Sequence, residues 1–163
     1  MPTTIRKILV PIDFSTPSDE ALNYAADLAT TLGASVVVVH VIHEPFIAGG
    51  EWDLYVRDAS EMREQLFSDV SSRLSAIVAA FERRGLRVTT DIRFGPPREG
   101  IVNAATAAEA DLIVMSTHGH SGLHHLLLGS VVEHVIRAAH CPVLAVRDPA
   151  RPRPAAPGKT TAA

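Results

Sequence analysis

What this sequence lacks already narrows its class. It has one cysteine, Cys141, so no intrachain disulfide can form, which suits a reducing compartment. Its amino terminus lacks the apolar stretch of a signal peptide, and no apolar run approaches the ~18 residues that a membrane span needs. We therefore expect a cytoplasmic protein that does not cross a membrane.

The sequence also lacks an excess of positive charge. It carries 15 Lys and Arg against 18 Asp and Glu, a formal net charge of -3. Proteins that bind nucleic acid or anionic membranes normally show a basic patch or stripe, so the composition argues against both partners. The 163 residues, 47% of them hydrophobic, fit a single domain with a full core.

Short apolar runs alternate with stretches of helical spacing along the chain. The runs predict five strands, over residues 8–12, 35–42, 86–92, 111–116 and 142–147. Four helices are predicted between them: one that starts at Pro17 with Thr16 as its N-cap, one with an apolar stripe over residues 62–81, one after Gly95, and one over residues 131–139. Residues 43–53 contain a proline and two glycines and are predicted to be a loop.

This alternation predicts an α/β fold: one doubly wound, five-stranded parallel sheet with helices on both faces, Rossmann-like in architecture. The strand orders 2-1-3-4-5 and 3-2-1-4-5 both remain available. We favour 3-2-1-4-5 because the third strand alternates apolar and polar residues, as an edge strand does. In that order the winding reverses between strands one and four, where ligands bind beyond the carboxyl ends. The loops at that point are residues 13–18 and 117–129.

The stretch over residues 116–130 organises the chain. A strand leads into a glycine-bearing loop, and the loop leads into a helix start, whose unpaired N–H groups and positive dipole end suit an anion. We hypothesise that it holds the phosphates of a nucleotide. The only lysines are Lys7 and Lys159, so phosphate charge must be met by backbone N–H groups, a divalent cation, histidine or arginine.

Three motifs resemble the universal stress protein family, and the likeness covers residues 5–147. They are Pro11-x-Asp13, Ser116-x-x-Gly119-x9-Gly129-Ser130, and the closing run Cys141-Pro142-Val143-Leu144-Ala145-Val146. Nucleotide-binding members of that family carry Gly-x-x-Gly-x9-Gly-Ser/Thr. This chain has Ser116 in place of the first glycine, and serine is small enough for a phosphate to fit beside it.

The resemblance implies a binding site for ATP, with Mg²⁺. Asp13 would lie near the adenosine moiety, Val41 would offer backbone groups to adenine, and the glycines with Ser130 would surround the phosphates. In chain order the implied set is Pro11, Asp13, Val41, Ser116, Thr117, His118, Gly119, Gly129, Ser130 and Val131. The resemblance also implies a homodimer that pairs its last strands through Val143, Leu144, Ala145 and Val146.

The resemblance divides the chain into a nucleotide-binding domain over residues 1–147 and a Pro- and Ala-rich tail over residues 148–163, predicted to be disordered. No catalytic constellation of nucleophile, histidine and carboxylate is recognisable, so slow ATP hydrolysis is the most activity we expect. Two alternatives stay open: a dimeric interaction module of the same family that binds no nucleotide, and an enzyme that acts on adenosine nucleotides.

Several site residues also have simpler interpretations. Ser130 and Glu133 fit a capping box, in which Ser130 caps the fourth helix. Asp13 follows a strand and could stabilise its own turn. The histidines at positions 118, 120, 124 and 125 could suggest a metal, but they lack the four-ligand pattern of a structural zinc site, so we expect none.

Overall fold

A computed structural model describes residues 4–43, 52–117 and 129–147, with the side chains of the second helix described from residue 60 onward. Five strands and four helices alternate over these residues. The strands are β1 (Lys7–Pro11), β2 (Ser35–Ile42), β3 (Val88–Phe94), β4 (Leu112–Ser116) and β5 (Val143–Val146). The helices are α1 (Thr16–Leu32), α2 (Trp52–Glu82), α3 (Pro97–Ala107) and α4 (Ser130–Ala138).

The strands form one parallel sheet in the order β3-β2-β1-β4-β5, which confirms the predicted fold and strand order. β1 pairs with both β2 and β4, so the winding reverses between β1 and β4. Helices α1 and α2 cover one face of the sheet, and α3 and α4 cover the other. The reversal therefore lies at the centre of the sheet.

The central strands are buried on both faces, which explains why their sequences are continuous apolar runs. Ile8 and Val10 pack toward α1 and α2, while Leu9 packs toward α3 and α4, and none of the three is exposed. β3, by contrast, lies at an edge, which confirms the edge position predicted for it. Its exposure does not alternate as predicted, because the consecutive residues Thr89 and Thr90 are both exposed.

Two helix boundaries differ from the predictions. Thr16 is not the N-cap of α1; Ser15 is, with an extended backbone and a hydroxyl that accepts from the Ser18 N–H at 3.4 Å. Adjacent Ser and Thr residues are both good caps, and the turn that precedes the helix selects the first of them. The loop after β2 was predicted to continue to residue 53, but α2 already begins at Trp52.

Strand β3 is displaced from its predicted position. The sequence placed it at residues 86–92, but it pairs with β2 from Val88, opposite Val36, to Phe94, opposite Ile42. The register with the neighbouring strand, and not the local apolar pattern, sets these ends. The predicted tail, residues 148–163, lies outside the described residues. Within the described ranges, no helix has the length and apolar character that a membrane crossing requires.

Candidate functional site

The pairing of β1 with β4 ends before the carboxyl end of the sheet, and the region beyond that point is here called the crevice. Their pairing stops at Leu9, opposite Ile113. The next β1 residue that faces β4 is Pro11, which has no N–H to donate to the ladder. β4 nevertheless continues to Ser116, where it pairs with β5. Pro11 therefore ends the hydrogen-bonded ladder between the two central strands at the position where the topology predicted a ligand.

The backbone of Val41 faces this crevice. Residues of a parallel strand direct their N–H and C=O groups alternately to the two neighbouring strands. The Val39 carbonyl accepts from the Ile12 N–H at 2.9 Å on the β1 side, and the Ile42 carbonyl accepts from the Gly95 N–H at 3.0 Å on the β3 side. Val41 therefore points its backbone groups toward β1, one step past the point where the pairing with β1 ends.

Asp13 stabilises the turn that follows β1. Its Oδ1 accepts hydrogen bonds from the Ser15 backbone N–H, at 3.1 Å, and from the Ser15 hydroxyl. The simpler interpretation of Asp13 is therefore confirmed, while its contact with a ligand stays a prediction. Phe14, between them, adopts a φ of 61°, in the left-handed region that bulky residues rarely occupy. Strained residues of this kind are often found at ligand sites.

The far wall of the crevice is built by the end of β4 and the start of α4. Ser116 and Thr117 are each only 8% exposed. The Thr117 N–H donates to the Val146 carbonyl, and the Gly129 N–H donates to the Thr117 carbonyl, both at 3.0 Å. These bonds join the first residue before α4 to the end of β4, so the helix N-terminus lies at the carboxyl end of one of the two strands that border the crevice.

Ser116 fits its position without backbone strain. It is a strand residue, and among the described residues the only non-glycine residues with positive φ are Phe14 and Glu109. The motif glycine that Ser116 replaces is therefore not required here for a left-handed conformation. What the replacement changes is the volume and polarity of one side chain.

The capping box that was the simpler interpretation of Ser130 does not form at α4. Gly129 is the N-cap, with an extended backbone, and its carbonyl accepts from the Glu133 N–H at 3.0 Å. Ser130 is already the first helical residue and is exposed, so its side chain is not the cap. Val131, which follows, is half-buried. Gly129 has no side chain with which to cap the first-turn N–H groups of α4, and a helix N-terminus is a favourable position for an anion.

Part of the predicted site lies outside the described residues. This applies to His118, to Gly119 and to the loop histidines that raised the question of a metal. Within the described part of the chain, no three His, Cys, Asp or Glu residues lie close enough to hold a metal ion. Burial, with Asp111 nearby, raises the pKa of the Cys141 thiol, which disfavours a reactive thiolate.

Two features near Val41 were not predicted from the sequence. The first involves His40, whose Nδ1 lies 2.8 Å from the Ile12 carbonyl oxygen and whose ring stacks on Phe14 with centroids 4.7 Å apart. The Arg73 guanidinium of α2 lies over the Phe14 ring, 3.7 Å from its centroid. The signal in the sequence was a single histidine within the otherwise apolar run of β2.

The second feature is the close approach of α3 to β2. A Cβ atom added at Gly100 would lie 2.8 Å from both γ carbons of Val41, closer than real side chains approach. Gly100 lies in the first turns of α3, where a glycine is otherwise unfavourable. Because Gly100 has no side chain, α3 can pack closely against the end of β2 beside the crevice.

A five-stranded parallel sheet in the order β3-β2-β1-β4-β5, with two helices on each face, defines a Rossmann-like α/β domain. Residues 4–147 match the universal stress protein family. The chain belongs to this family.

Known members of the family are similar to this chain over most of its length. Universal stress protein MJ0531 of Methanocaldococcus jannaschii is 38% identical over 148 residues, which cover 88% of this chain and 83% of that protein. The solved structure of MJ0577, from the same organism, superposes with a TM-score of 0.79 at 32% identity and covers 89% of this chain and 97% of the other.

A more distant structure carries a ligand. The universal stress protein of Archaeoglobus fulgidus in complex with dAMP is 24% identical, with a TM-score of 0.53. It covers 86% of this chain and 96% of the other. At this identity the comparison shows only that the two proteins share a fold.

Proposed function

We propose that this protein binds ATP, with Mg²⁺, in the crevice between β1 and β4, and that binding regulates its interactions instead of driving rapid turnover. The observation that carries the proposal is the position of the α4 N-terminus. Its N-cap residue, Gly129, carries no side chain, and the Gly129 N–H donates to the Thr117 carbonyl at the end of β4, one of the two strands at the reversal. A helix N-terminus at a reversal is a favourable position for phosphate.

The adenine would lie at the β1–β2 side of the crevice. The Val41 N–H and C=O offer one donor and one acceptor side by side. Adenine presents an acceptor ring nitrogen next to its amino donor, so the two edges are complementary. Asp13, at the end of β1, would lie near the ribose. A universal stress protein that binds dAMP provides a family precedent for an adenine nucleotide in this fold.

The phosphates would lie at the β4–α4 side. Ser116 and Thr117 lead into the loop, Gly129 and Ser130 begin the helix, and Val131 adds a further first-turn N–H. His118 and Gly119, in the loop itself, complete the proposed set. Because the sequence has so few lysines, a divalent cation such as Mg²⁺ would neutralise part of the phosphate charge.

We also propose that the protein is a homodimer that pairs β5 with its copy. β5 is at the edge of the sheet, is entirely apolar, and is half-buried along its length. An apolar edge strand offers unpaired backbone groups, and proteins usually protect such edges. The second candidate function is an interaction module, that is, a dimer that binds no nucleotide. The apolar β5 edge supports this candidate as well, because it supports the dimer.

We propose further that residues up to 147 form the nucleotide-binding unit, that residues 148–163 are a tail, and that the protein acts in the cytoplasm. The single cysteine supports the last point, because it suits a reducing compartment.

Calorimetric titration of ATP with Mg²⁺ tests the nucleotide proposal. Gly129→Asp would place a carboxylate where the phosphates should lie, so we expect it to abolish measurable binding through like-charge repulsion. Asn23→Asp, which adds the same charge on the exposed face of α1, is the matched control and should bind as the wild type does. If the wild type shows no heat at millimolar ATP, the proposal is wrong and the interaction module remains.

Light scattering tests the dimer. Val143→Lys should yield monomers, because a charge would then be buried between the paired edges. Thr89→Lys, at the exposed opposite edge of the sheet, should leave the dimer intact. An unchanged dimer mass for Val143→Lys would rule out the β5 interface.

A further inference from the structure

We propose that His40 is a positioning residue for the base, because it ends the β1–β2 ladder and so leaves the Val41 N–H available to a ligand. This inference rests on the proposed function, since it concerns the same crevice. It assigns a role to a side chain that would not itself need to touch the nucleotide.

Without His40, the ladder between β1 and β2 would extend by one more hydrogen bond. Their register ends with Pro11 opposite Val39, and the Ile12 N–H still donates to the Val39 carbonyl. The next bond in a parallel ladder would run from the Val41 N–H to the Ile12 carbonyl. That carbonyl is instead bonded by His40 Nδ1 at 2.8 Å. A side chain thus takes the acceptor that the Val41 N–H would have used.

The direction of this hydrogen bond follows from its partners. A carbonyl oxygen only accepts, so Nδ1 carries the hydrogen. Burial lowers the pKa of His40; the Ile12 bond and the charge of Asp13 oppose that effect, and the Arg73 charge adds to it. The neutral ring with hydrogen on Nδ1 therefore dominates near neutral pH. Protonation would add a hydrogen at Nε2 and leave the Nδ1 bond in place.

The His40 ring is held in position from its other side. It stacks on Phe14 at an interplanar angle of 38°, and Arg73 covers the Phe14 ring. Phe14 adopts a left-handed backbone conformation in the chain that leaves β1. The stack joins α2, the turn after β1 and the end of β2. It keeps the Ile12 carbonyl directed at the imidazole, and therefore away from Val41.

Two substitutions separate the hydrogen bond from the ring. His40→Phe keeps an aromatic ring for the stack but removes the donor. His40→Asn removes the ring but places an amide donor close to the position of Nδ1. If the hydrogen bond is what matters, Asn should restore what Phe removes, whereas a role in packing alone would give the opposite order.

Backbone amide exchange measured without nucleotide tests the inference independently of ATP binding. We expect the Val41 amide to exchange fast in the wild type and in His40→Asn, and slowly in His40→Phe, where it should bond to the released Ile12 carbonyl. The Ile42 amide, which faces β3, should stay protected in all three proteins. A Val41 amide that is already protected in the wild type, or that stays fast in His40→Phe, would overturn the inference.

The affinity for ATP provides the second readout. We expect His40→Phe to bind ATP about tenfold more weakly than the wild type, the effect of losing one hydrogen bond to the base. His40→Asn should stay within about threefold of the wild type. Equal affinities for all three proteins would overturn the role in nucleotide binding. If the wild type binds no nucleotide but the exchange pattern holds, the proposed function is wrong, while the effect of His40 on the ladder stands.

Discussion

The two sides of the crevice are built by different means. On the β1–β2 side, here called the base side, side chains hold the backbone: Pro11 ends one ladder, Asp13 closes a turn, and His40 occupies the Ile12 carbonyl. On the β4–α4 side, here called the phosphate side, backbone hydrogen bonds from Gly129 to Thr117 and from Thr117 to Val146 join the start of α4 to β4 and β5.

This difference indicates which substitutions each side should tolerate. Each hydrogen bond on the base side depends on one particular side chain, which few other residue types could replace. In addition, α3 packs so closely on Val41 that there is no room for a side chain at Gly100. The phosphate side offers N–H groups that every residue except proline possesses, so it should tolerate a change of side chain that adds no charge and little volume. The following three predictions test this contrast, from the largest expected effect to the smallest.

Gly100→Ala should disturb the base side most. The added methyl would overlap the Val41 side chain, and overpacking of this kind typically costs about 1–3 kcal/mol. Alanine regains up to about 1 kcal/mol of helix propensity, so we expect a net loss of about 1 kcal/mol in the free energy of unfolding. Urea denaturation measures it.

Asn103→Ala, on the exposed face of the same helix, serves as the control for Gly100→Ala. It should be neutral or slightly stabilising, because alanine has the higher helix propensity. If both variants are equally stable, α3 does not confine Val41 in the way described.

Ser116→Gly should change the phosphate side little. The strand conformation of Ser116 makes no demand for glycine, so the affinity for ATP should change by less than about twofold. Stability should fall by about 0.5–1 kcal/mol, because glycine loses more chain entropy in a strand. A large gain in affinity, measured by calorimetry, would instead mean that the serine side chain obstructs the site.

The smallest expected effect is the pH dependence that His40 contributes. Its pKa in the folded protein lies below the ordinary value of 6.5, mainly because the ring is partly buried. Between the two values the unfolded chain binds more protons than the folded protein, so acid favours unfolding. This contribution to stability is fully present above pH 6.5 and is lost as the pH falls toward the folded-state value.

The difference between the wild type and His40→Asn isolates this contribution, because all other titrating groups are shared. Between about pH 7.5 and pH 5.5 the wild type should lose more stability in urea denaturation than the variant does. If the two proteins respond equally to acid, the folded protein does not disfavour protonation of His40.

The sequence predicted the larger features of the molecule because each depends on patterns that recur over many residues. The alternation of β3 predicted an edge strand, and from it the strand order and the reversal followed. Single-residue features were harder. Thr16 was predicted as a cap and Ser130 was considered as one, but their neighbours Ser15 and Gly129 hold those positions, since several adjacent residues can cap a helix equally well.

The features that escaped prediction depend on contacts between distant parts of the chain. The bond between His40 and Ile12 requires the register of β1 against β2, and the overlap of Gly100 with Val41 requires the packing of α3 on the sheet. Neither residue belongs to a motif that local spacing would identify. The role of Asp13 in its turn was foreseen as an alternative, because aspartate after a strand does this in many proteins.

The central claim is that one nucleotide bridges the base side and the phosphate side. Titrating ATP with Mg²⁺ into ¹⁵N-labelled protein and following the backbone amide resonances tests it most directly. We expect the resonances of Val41, Gly129 and Ser130 to shift together, with one dissociation constant, while those at the opposite end of the sheet, such as Ser35, stay in place. Shifts confined to one side of the crevice, or absent from both, would contradict it.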